Sequence, residues 1–451
     1  MRSKALAFVV GTVCAAWGTG TLLFLPAAAM AQATRPALVS ARAESPANGS
    51  IASQSITLAE VLVLAETVNP AFRARQAQLA AAEGVRTDAS SLFFNNPQLS
   101  TDLTRRSVTQ FGQANERRQE WNAGLSQTLE IAGQSSYRRQ AADAALAALR
   151  AEIDDARRTA RSVAAEHFYR VLALQQRVVL EAEALRLFES TAVAIQKRRT
   201  AGEDTKLDAN ISAVEAERAR NQLALAEEQL LAARTALGAT IQLPPSSLPQ
   251  VVGELTMKPR RLSLAELQEA VASQPRLLAL VERENSATSR LKLEQASTYP
   301  DVTVGLNVGR EGPGMARERL TTLTFSVPLP LFKRNATGIG QARSELSQVQ
   351  VERQTTLRDT QANVNALWLR LDSLEARIKR FQESMLPALA DNQQLSVKSQ
   401  QAGQIGLLEL IVVNRQALDA RRDLNDALSE YHATRLELEL AAGLSTEVTQ
   451  P

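Results

Sequence analysis

From Gln134 to Ala201 the chain contains neither glycine nor proline. A stretch this long without the two residues that interrupt helices can run as one α-helix through many turns. Apolar positions such as Leu146, Leu149, Ile153 and Ala156 recur three and four apart, as in a helix packed against neighbours. A helix from about Gln140 to Thr200 would be roughly 90 Å long. Helices of that length cannot wrap a globular core; they form a coiled coil or an α-barrel. Gly202 breaks the run, and helix-favouring sequence resumes to Gly238.

The second half of the chain repeats the first. Gln341–Ala402 has no glycine and one proline (Pro387), Gly403 breaks it, and helical sequence continues to Gly443. Direct matches give a period of about 200 residues. Thr200-Ala201-Gly202-Glu203 aligns with Gln401-Ala402-Gly403-Gln404, Leu207-Asp208 with Leu408-Glu409, and Asn96-Pro97 with Tyr299-Pro300. Each half opens with a capping box, Thr57-Leu58-Ala59-Glu60 and Ser263-Leu264-Ala265-Glu266, in which hydroxyl and carboxylate satisfy backbone donors at a helix start. The expected organisation is repeat 1 over 56–243, an inter-repeat linker over 244–262, repeat 2 over 263–443 and a tail over 444–451.

Within each half the order is a helix, two strands and a long helical hairpin. Asp301–Val308 alternates strictly between an apolar Val/Leu face and a polar Asp/Thr/Gly/Asn face, as a half-buried strand does. The pattern predicts strand pairs Leu99–Val108/Trp121–Leu129 and Val302–Arg310/Leu320–Val327, with Thr109–Gln119 and Gly309–Met315 as loops. These runs approach the 9–11 residues of a tilted membrane strand. Alternation alone leaves membrane strands and soluble hairpins equally open. The helices favour the membrane. Four membrane-length strands cannot close a barrel, and lipid leaves no sheet edge unpaired. Three chains supply twelve.

The N-terminus reads as an export signal over 1–31. Arg2 and Lys4 precede an apolar run from Ala5 to Phe24, and the small residues Ala27–Ala31 supply a cleavage site. Residues 32–55, rich in Ala, Ser and Pro, read as a flexible leader. The only cysteine, Cys14, lies inside the signal, so the exported chain has none and no disulfide framework. The 51 basic residues nearly balance 48 acidic ones; removing Arg2 and Lys4 lowers the charge from +3 to +1, which gives no basis for nucleic-acid binding. Two histidines, His167 and His432, stand alone on helical sequence as interhelical or solvated side chains rather than metal ligands. H-E-x-x-H, G-x-S-x-G and Walker motifs are missing from the sequence, and aromatics make up 4%. The composition argues against an enzyme, and no cofactor or resident metal is expected.

Two stretches sharpen the picture. They are Leu125-Ser126-Gln127-Thr128-Leu129-Glu130-Ile131-Ala132-Gly133 and Val327-Pro328-Leu329-Pro330-Leu331-Phe332-Lys333-Arg334-Asn335. With the signal, the duplication, the paired strands and the glycine-broken hairpins, the chain resembles the TolC-type outer-membrane efflux proteins. Within them it resembles the CzcC-like channels of heavy-metal RND systems, although Gln134-Ser135 stands where that branch has a basic pair. The resemblance implies an α+β membrane protein: a homotrimer whose twelve strands form a β-barrel in outer-membrane lipid, continued by a periplasmic α-helical barrel. It further implies a periplasmic adaptor and an inner-membrane RND pump as partners, with heavy-metal cations as cargo. Organic-compound efflux is the alternative. A periplasmic coiled-coil adaptor, from a different class, would need one helical hairpin and globular β domains.

The resemblance also assigns the turns Ala201-Gly202-Glu203-Asp204 and Ala402-Gly403-Gln404-Ile405 as periplasmic tips that meet the adaptor. Asp208 and Glu409, each six residues past a tip glycine, would place carboxylates around the narrow end of the tube. There they would attract cations. Acids so near a helix N-terminus also serve as ordinary caps.

Overall fold

The repeat is plain in the order of elements. The computed structural model describes residues 55–108, 111–112, 116–244, 247–257, 263–312 and 317–444. The export signal, all of the leader except Ser55, and residues 445–451 of the tail lie outside the described residues. Ser55 is already structured: β1 (Ser55–Ile56) pairs in parallel with β4 (Gln250–Val251) in the inter-repeat linker.

The first half continues through α1 (Leu58–Val68), α2 (Pro70–Ala77) and α3 (Leu79–Ala89). Then come β2 (Gln98–Val108), β3 (Glu116–Leu129), α4 (Gln134–Thr200) and α5 (Lys206–Thr240). The second half has α6 (Leu264–Val271), α7 (Pro275–Ala296), β5 (Val302–Glu311) and β6 (Glu318–Ser326). It closes with α8 (Ala336–Arg380), α9 (Leu386–Gln401) and α10 (Leu407–Ala441). Both expected capping boxes form: Thr57 and Ser263 each accept from the backbone N–H three residues on, and Glu60 and Glu266 accept in return. Those backbone and hydroxyl donors hold both carboxyls below their ordinary pKa.

The long helices of the two halves differ in one respect. α4 is a continuous helix of 67 residues, about 100 Å. Its counterpart is split by a π turn at Phe381–Met385, between α8 and α9. Pro387 explains the break. It lacks an N–H, and its ring would strike the carbonyl four residues back, that of Glu383. The wider turn moves that carbonyl away. The single proline noted in the second half therefore bends the ladder without ending the helix.

The main core lies where α1, α4, α5, α6, α7, α8 and α10 meet the β1–β4 pair, with Val61, Phe168, Leu237, Val271, Ile378 and Tyr431 among its buried members. Ala164 and Ala165, fully buried, let the helices approach closely there. The linker is pinned to this core by a side-chain amide: Gln175 Nε2 donates to Val251 O (3.0 Å), and Val251 N donates to Gln175 Oε1 (3.1 Å). Both histidines are interhelical. His167 Nδ1 lies 2.8 Å from Thr240 Oγ1. His432 stacks on Tyr169 at 4.0 Å and reaches Thr256 O in the linker at 3.1 Å.

Candidate functional site: a two-faced sheet and two hairpin tips

The four long strands form one antiparallel sheet in the order β2-β3-β5-β6. All four strands extend further than the alternation suggests at one end: β2 begins at Gln98 and β6 at Glu318. β3 begins at Glu116, because its first turns are polar on both faces and carry no periodic signal, and β5 reaches Glu311. β6 stops at Ser326, so Val327 is not part of it. Pro328 follows, and proline biases its predecessor and cannot donate to a ladder.

Register sorts the large apolar side chains that are described onto one face, with Leu320 as the exception on the other. Leu99, Leu125, Leu306 and Leu323 are direct cross-strand partners and make one leucine row across all four strands. Val304 and Phe325 flank it on the same face, as do Leu103 and Trp121 on its other side. This face is open: Leu99 is 75% exposed and Phe325 67%. The opposite face is polar and closely filled. There Ser100, Gly124, Asn307 and Thr322 form the matching row, and Thr128 and Thr303 hydroxyls lie 3.0 Å apart. Gly124 is glycine for a spatial reason, since a Cβ would stand 1.9 Å from Asn307 Oδ1. β2 and β6 each present a free edge in the single chain. Among the described residues no helix is long and apolar enough to cross a membrane, so the sheet is what such a chain can offer to lipid.

The junction from sheet to helix is tied by hydrogen bonds. Leu331 N donates to Leu329 O across Pro330 (2.9 Å), and Asn335, left-handed at φ 52°, donates to Glu294 O (3.0 Å). Phe332 is left 97% exposed. On the facing junction, Arg138 covers the Phe94 ring at 3.6 Å and pairs with Glu130.

At the far end of the helices both predicted turns form. Gly202 has φ 84° and Gly403 φ 70°, the left-handed conformation that ends a helix. Each makes the same pair of closing bonds: Gly202 N to Arg199 O and Glu203 N to Arg198 O, Gly403 N to Gln400 O and Gln404 N to Ser399 O. Asp208 is held in a capping box with Thr205, whose hydroxyl donates to Asp208 Oδ2 at 2.6 Å and accepts from Asp208 N at 3.1 Å. Glu409 is exposed and begins a helix whose N-cap, Gly406, has no side chain to cap it. Just behind the tips, Ile211, Leu407 and Ile411 join the cluster around Phe188, bringing the starts of α5 and α10 together.

Sequence reasoning missed the ion pairs that tie the hairpins. Glu181, with no exposed surface, accepts from Arg177 Nε (2.5 Å) and from Arg422 Nε (2.9 Å), linking α4 to α10. Burial disfavours the Arg422 charge, yet the Glu181 carboxylate outweighs it and leaves the guanidinium above its ordinary pKa. Arg415 Nε donates to Glu215 at 2.8 Å, linking α5 to α10. The only hint was the four-residue spacing of Arg177 and Glu181; the partners 200 and 241 positions away carry no local signal.

An amphipathic four-stranded sheet on a duplicated bundle of very long helices defines a membrane channel of the barrel-and-tube class. Residues 267–444 match the family described as Outer membrane efflux protein. The chain is 25% identical over 82% of its length, and 86% of the relative's, to the cobalt-zinc-cadmium resistance protein CzcC of Cupriavidus metallidurans. Its fold matches that of CusC, whose structures concern folding and transmembrane channel formation, with a TM-score of 0.71 at 16% identity over 86% of this chain and 92% of that one. It likewise matches the outer membrane protein VceC of Vibrio cholerae, with a TM-score of 0.72 at 19% identity over 86% and 97%. The family match lies in the second repeat, and the likeness of fold extends over both halves. The chain is a channel of the outer membrane extending into the periplasm, and not an enzyme.

Proposed function

We propose that three copies close into one conduit that carries heavy-metal cations from a periplasmic adaptor and an inner-membrane RND pump to the exterior. The observation that carries this reading is the sheet itself. It has an apolar face, a polar face and two free edges, and in lipid those edges must find partners. Edge pairing between copies gives twelve strands, above the smallest usual barrel of about eight. The metal assignment rests on the likeness to CzcC and on the stretches Leu125–Gly133 and Val327–Asn335. A conduit does not need tight cargo sites. Among the described residues no group of three or more His, Cys, Asp or Glu is placed to hold a metal ion.

The test of the conduit is a pair of substitutions on opposite faces. Val304→Arg puts a charge on the apolar face and costs about 2–4 kcal/mol near mid-bilayer, whereas Thr303→Arg faces the lumen and is tolerated. Detergent-extracted trimers should be lost in the first and kept in the second; equal yields overturn the barrel. Metal-sensitivity profiling of a deletion strain beside a drug panel tests the cargo, and sensitivity to drugs alone would reassign it to organic compounds.

In the same reading the turns 201–204 and 402–405 are the adaptor-docking tips, and the chain divides into repeats 56–243 and 263–443 joined by the linker 244–262. Glu409 is the stronger lumen acid, because Asp208 already serves Thr205 as a cap. Single-channel recordings should then show cation preference falling more in Glu409→Gln than in Asp208→Asn. Unchanged preference in both leaves only capping.

A further inference from the structure

The register that separates apolar from polar side chains also separates charges. On the leucine face, from the Leu103–Trp121 row outward to the β2–β3 and β5–β6 loops, the charged residues are Arg105, Arg117, Arg310 and Arg319, with Gln119 and Ser107 as neutral neighbours. Every strand acid whose side chain is described (Asp102, Glu120, Glu311 and Glu318) falls on the opposite, lumen face. Among the described residues no ion pair engages the four arginines, while Arg106 on the lumen face lies 3.7 Å from Glu120.

Their height is specific. Arg310 and Arg319 share a row with Leu103 and Trp121, six residues along β5 from the Val304–Phe325 row. At ~3.4 Å per residue that is about 20 Å along the strand. Arg105 and Arg117 follow two and four residues further out. With strands tilted about 40° and an apolar band of roughly 25 Å, the arginines stand at its outer rim. An interfacial Trp beside them fits the same level. A guanidinium fork there meets phosphate oxygens in a bidentate geometry, in a layer drier than bulk water.

Resting on the barrel reading above, we propose that Arg105, Arg117, Arg310 and Arg319 form a binding site for the phosphate-bearing headgroups of outer-leaflet lipid. The one-sided distribution of charge is what a lipid partner requires: cations toward the headgroups, and no acid on that side to repel them. Loop-ward arginines placed merely for solubility would be mixed with acids on both faces.

The experiment uses the mature full-length trimer in detergent, with diphosphorylated lipid A, its dephosphorylated form and inorganic phosphate as separate probes. Native mass spectrometry and thermal shift read binding. The wild type should retain the diphosphorylated lipid, bind the dephosphorylated form at least tenfold more weakly, and weaken further as salt rises. Replacing all four arginines by Gln should abolish retention while the trimer persists, and R106Q/R118Q on the lumen face should retain the lipid as wild type does. Equal retention by the four-Gln variant overturns the site, as does stabilisation by inorganic phosphate without lipid retention. Should the four-Gln variant not assemble, R310Q/R319Q alone must reduce retention several-fold, and unreduced retention overturns the proposal. A wild-type protein that forms no trimer in detergent fails the barrel reading instead, which separates the two.

Discussion

At the first tip Arg198 reaches both Glu203 (3.3 Å) and Asp204 (3.2 Å), and the next residue, Thr205, closes a capping box with Asp208. At the second tip the same left-handed glycine is followed by Gln404, Ile405 and Gly406, no charge occurs from Ala402 to Leu408, and the helix starts without a side-chain cap. The difference continues along the helices. The first hairpin is tied to α10 by the Glu181 and Glu215 ion pairs, one from each of its helices. In the second hairpin α9 meets α10 through the neutral Gln393–Asn414 bond (3.2 Å), and its long helix is interrupted by the π turn at Phe381–Met385. Duplication has kept the backbone of the turn and changed what restrains it. The first hairpin supplies the buried carboxylates of the brace, whereas the second has between its own helices α8 and α10 the exposed Arg370–Glu430 pair (2.6 Å).

Removing the brace gives the largest expected effect. Glu181→Gln removes the buried carboxylate between Arg177 and Arg422, which are each 21% exposed and keep Asp426 and Asp419 as outer partners. Breaking a fully buried pair from one side costs about 3–5 kcal/mol, and these outer partners bring the loss to about the low end of that range. Thermal unfolding of the trimer and hydrogen exchange along 170–190 should both show it. Gln393→Ala, the equivalent cut in the second hairpin, should cost about 1 kcal/mol. Equal losses would mean that the two hairpins are restrained alike after all.

Next come the turn glycines. A Cβ at Gly202 or Gly403 meets nothing within 4 Å, so leucine there is penalised only through the backbone, by about 1–2 kcal/mol for a positive φ. Trimers should therefore survive Gly202→Leu and Gly403→Leu. If the tips dock the adaptor, Gly403→Leu abolishes efflux and adaptor crosslinking, and normal efflux from that variant removes the docking assignment. Thr205→Ala is milder. It deletes the braced tip's cap for about 1 kcal/mol, and amide exchange over 206–209 should accelerate roughly fivefold.

How much of this was legible before the structure depends on the range of the interaction. The strands, the two turns and the capping boxes at Thr57 and Ser263 are written in neighbouring residues, through alternation, glycine placement and a hydroxyl three positions before a carboxylate. The two-faced sheet followed from the same period of two, and the register added the pairing of Leu99 with Leu125 and of Leu306 with Leu323. The bracing was not legible. Glu181 and Arg422 are 241 positions apart, and each looks like an ordinary surface charge on an amphipathic helix. Capping by Asp208 was legible as the alternative to a lumen charge, and the structure adds its partner Thr205, in the same motif as the boxes at Thr57 and Ser263.

The smallest expected effect sharpens the comparison most, because it builds the missing restraint instead of removing one. Gly406 occupies the N-cap of α10 with extended backbone, φ −83° and ψ 175°, nearly that of Thr205 at φ −84° and ψ 162°. A Cβ there would lie 2.9 Å from Glu409 Oε2, the free end of a flexible side chain that can turn aside. In Gly406→Ser the new hydroxyl is placed to accept from Glu409 N, and the Glu409 carboxylate to accept from the N-cap backbone, reproducing the Thr205–Asp208 arrangement. Ser over Gly at an N-cap is worth only a few tenths of a kcal/mol. Amide exchange over 407–410 should slow by less than twofold while that over 206–209 stays unchanged. If the looseness of the second tip matters for opening the tube, conductance of Gly406→Ser trimers should fall although no lumen residue has been altered. Slower exchange with wild-type conductance would show that the tip's missing cap is structurally real and functionally silent. Unchanged exchange would show that Glu409 already restrains the turn, and the contrast between the tips would then rest on the ion pairs alone.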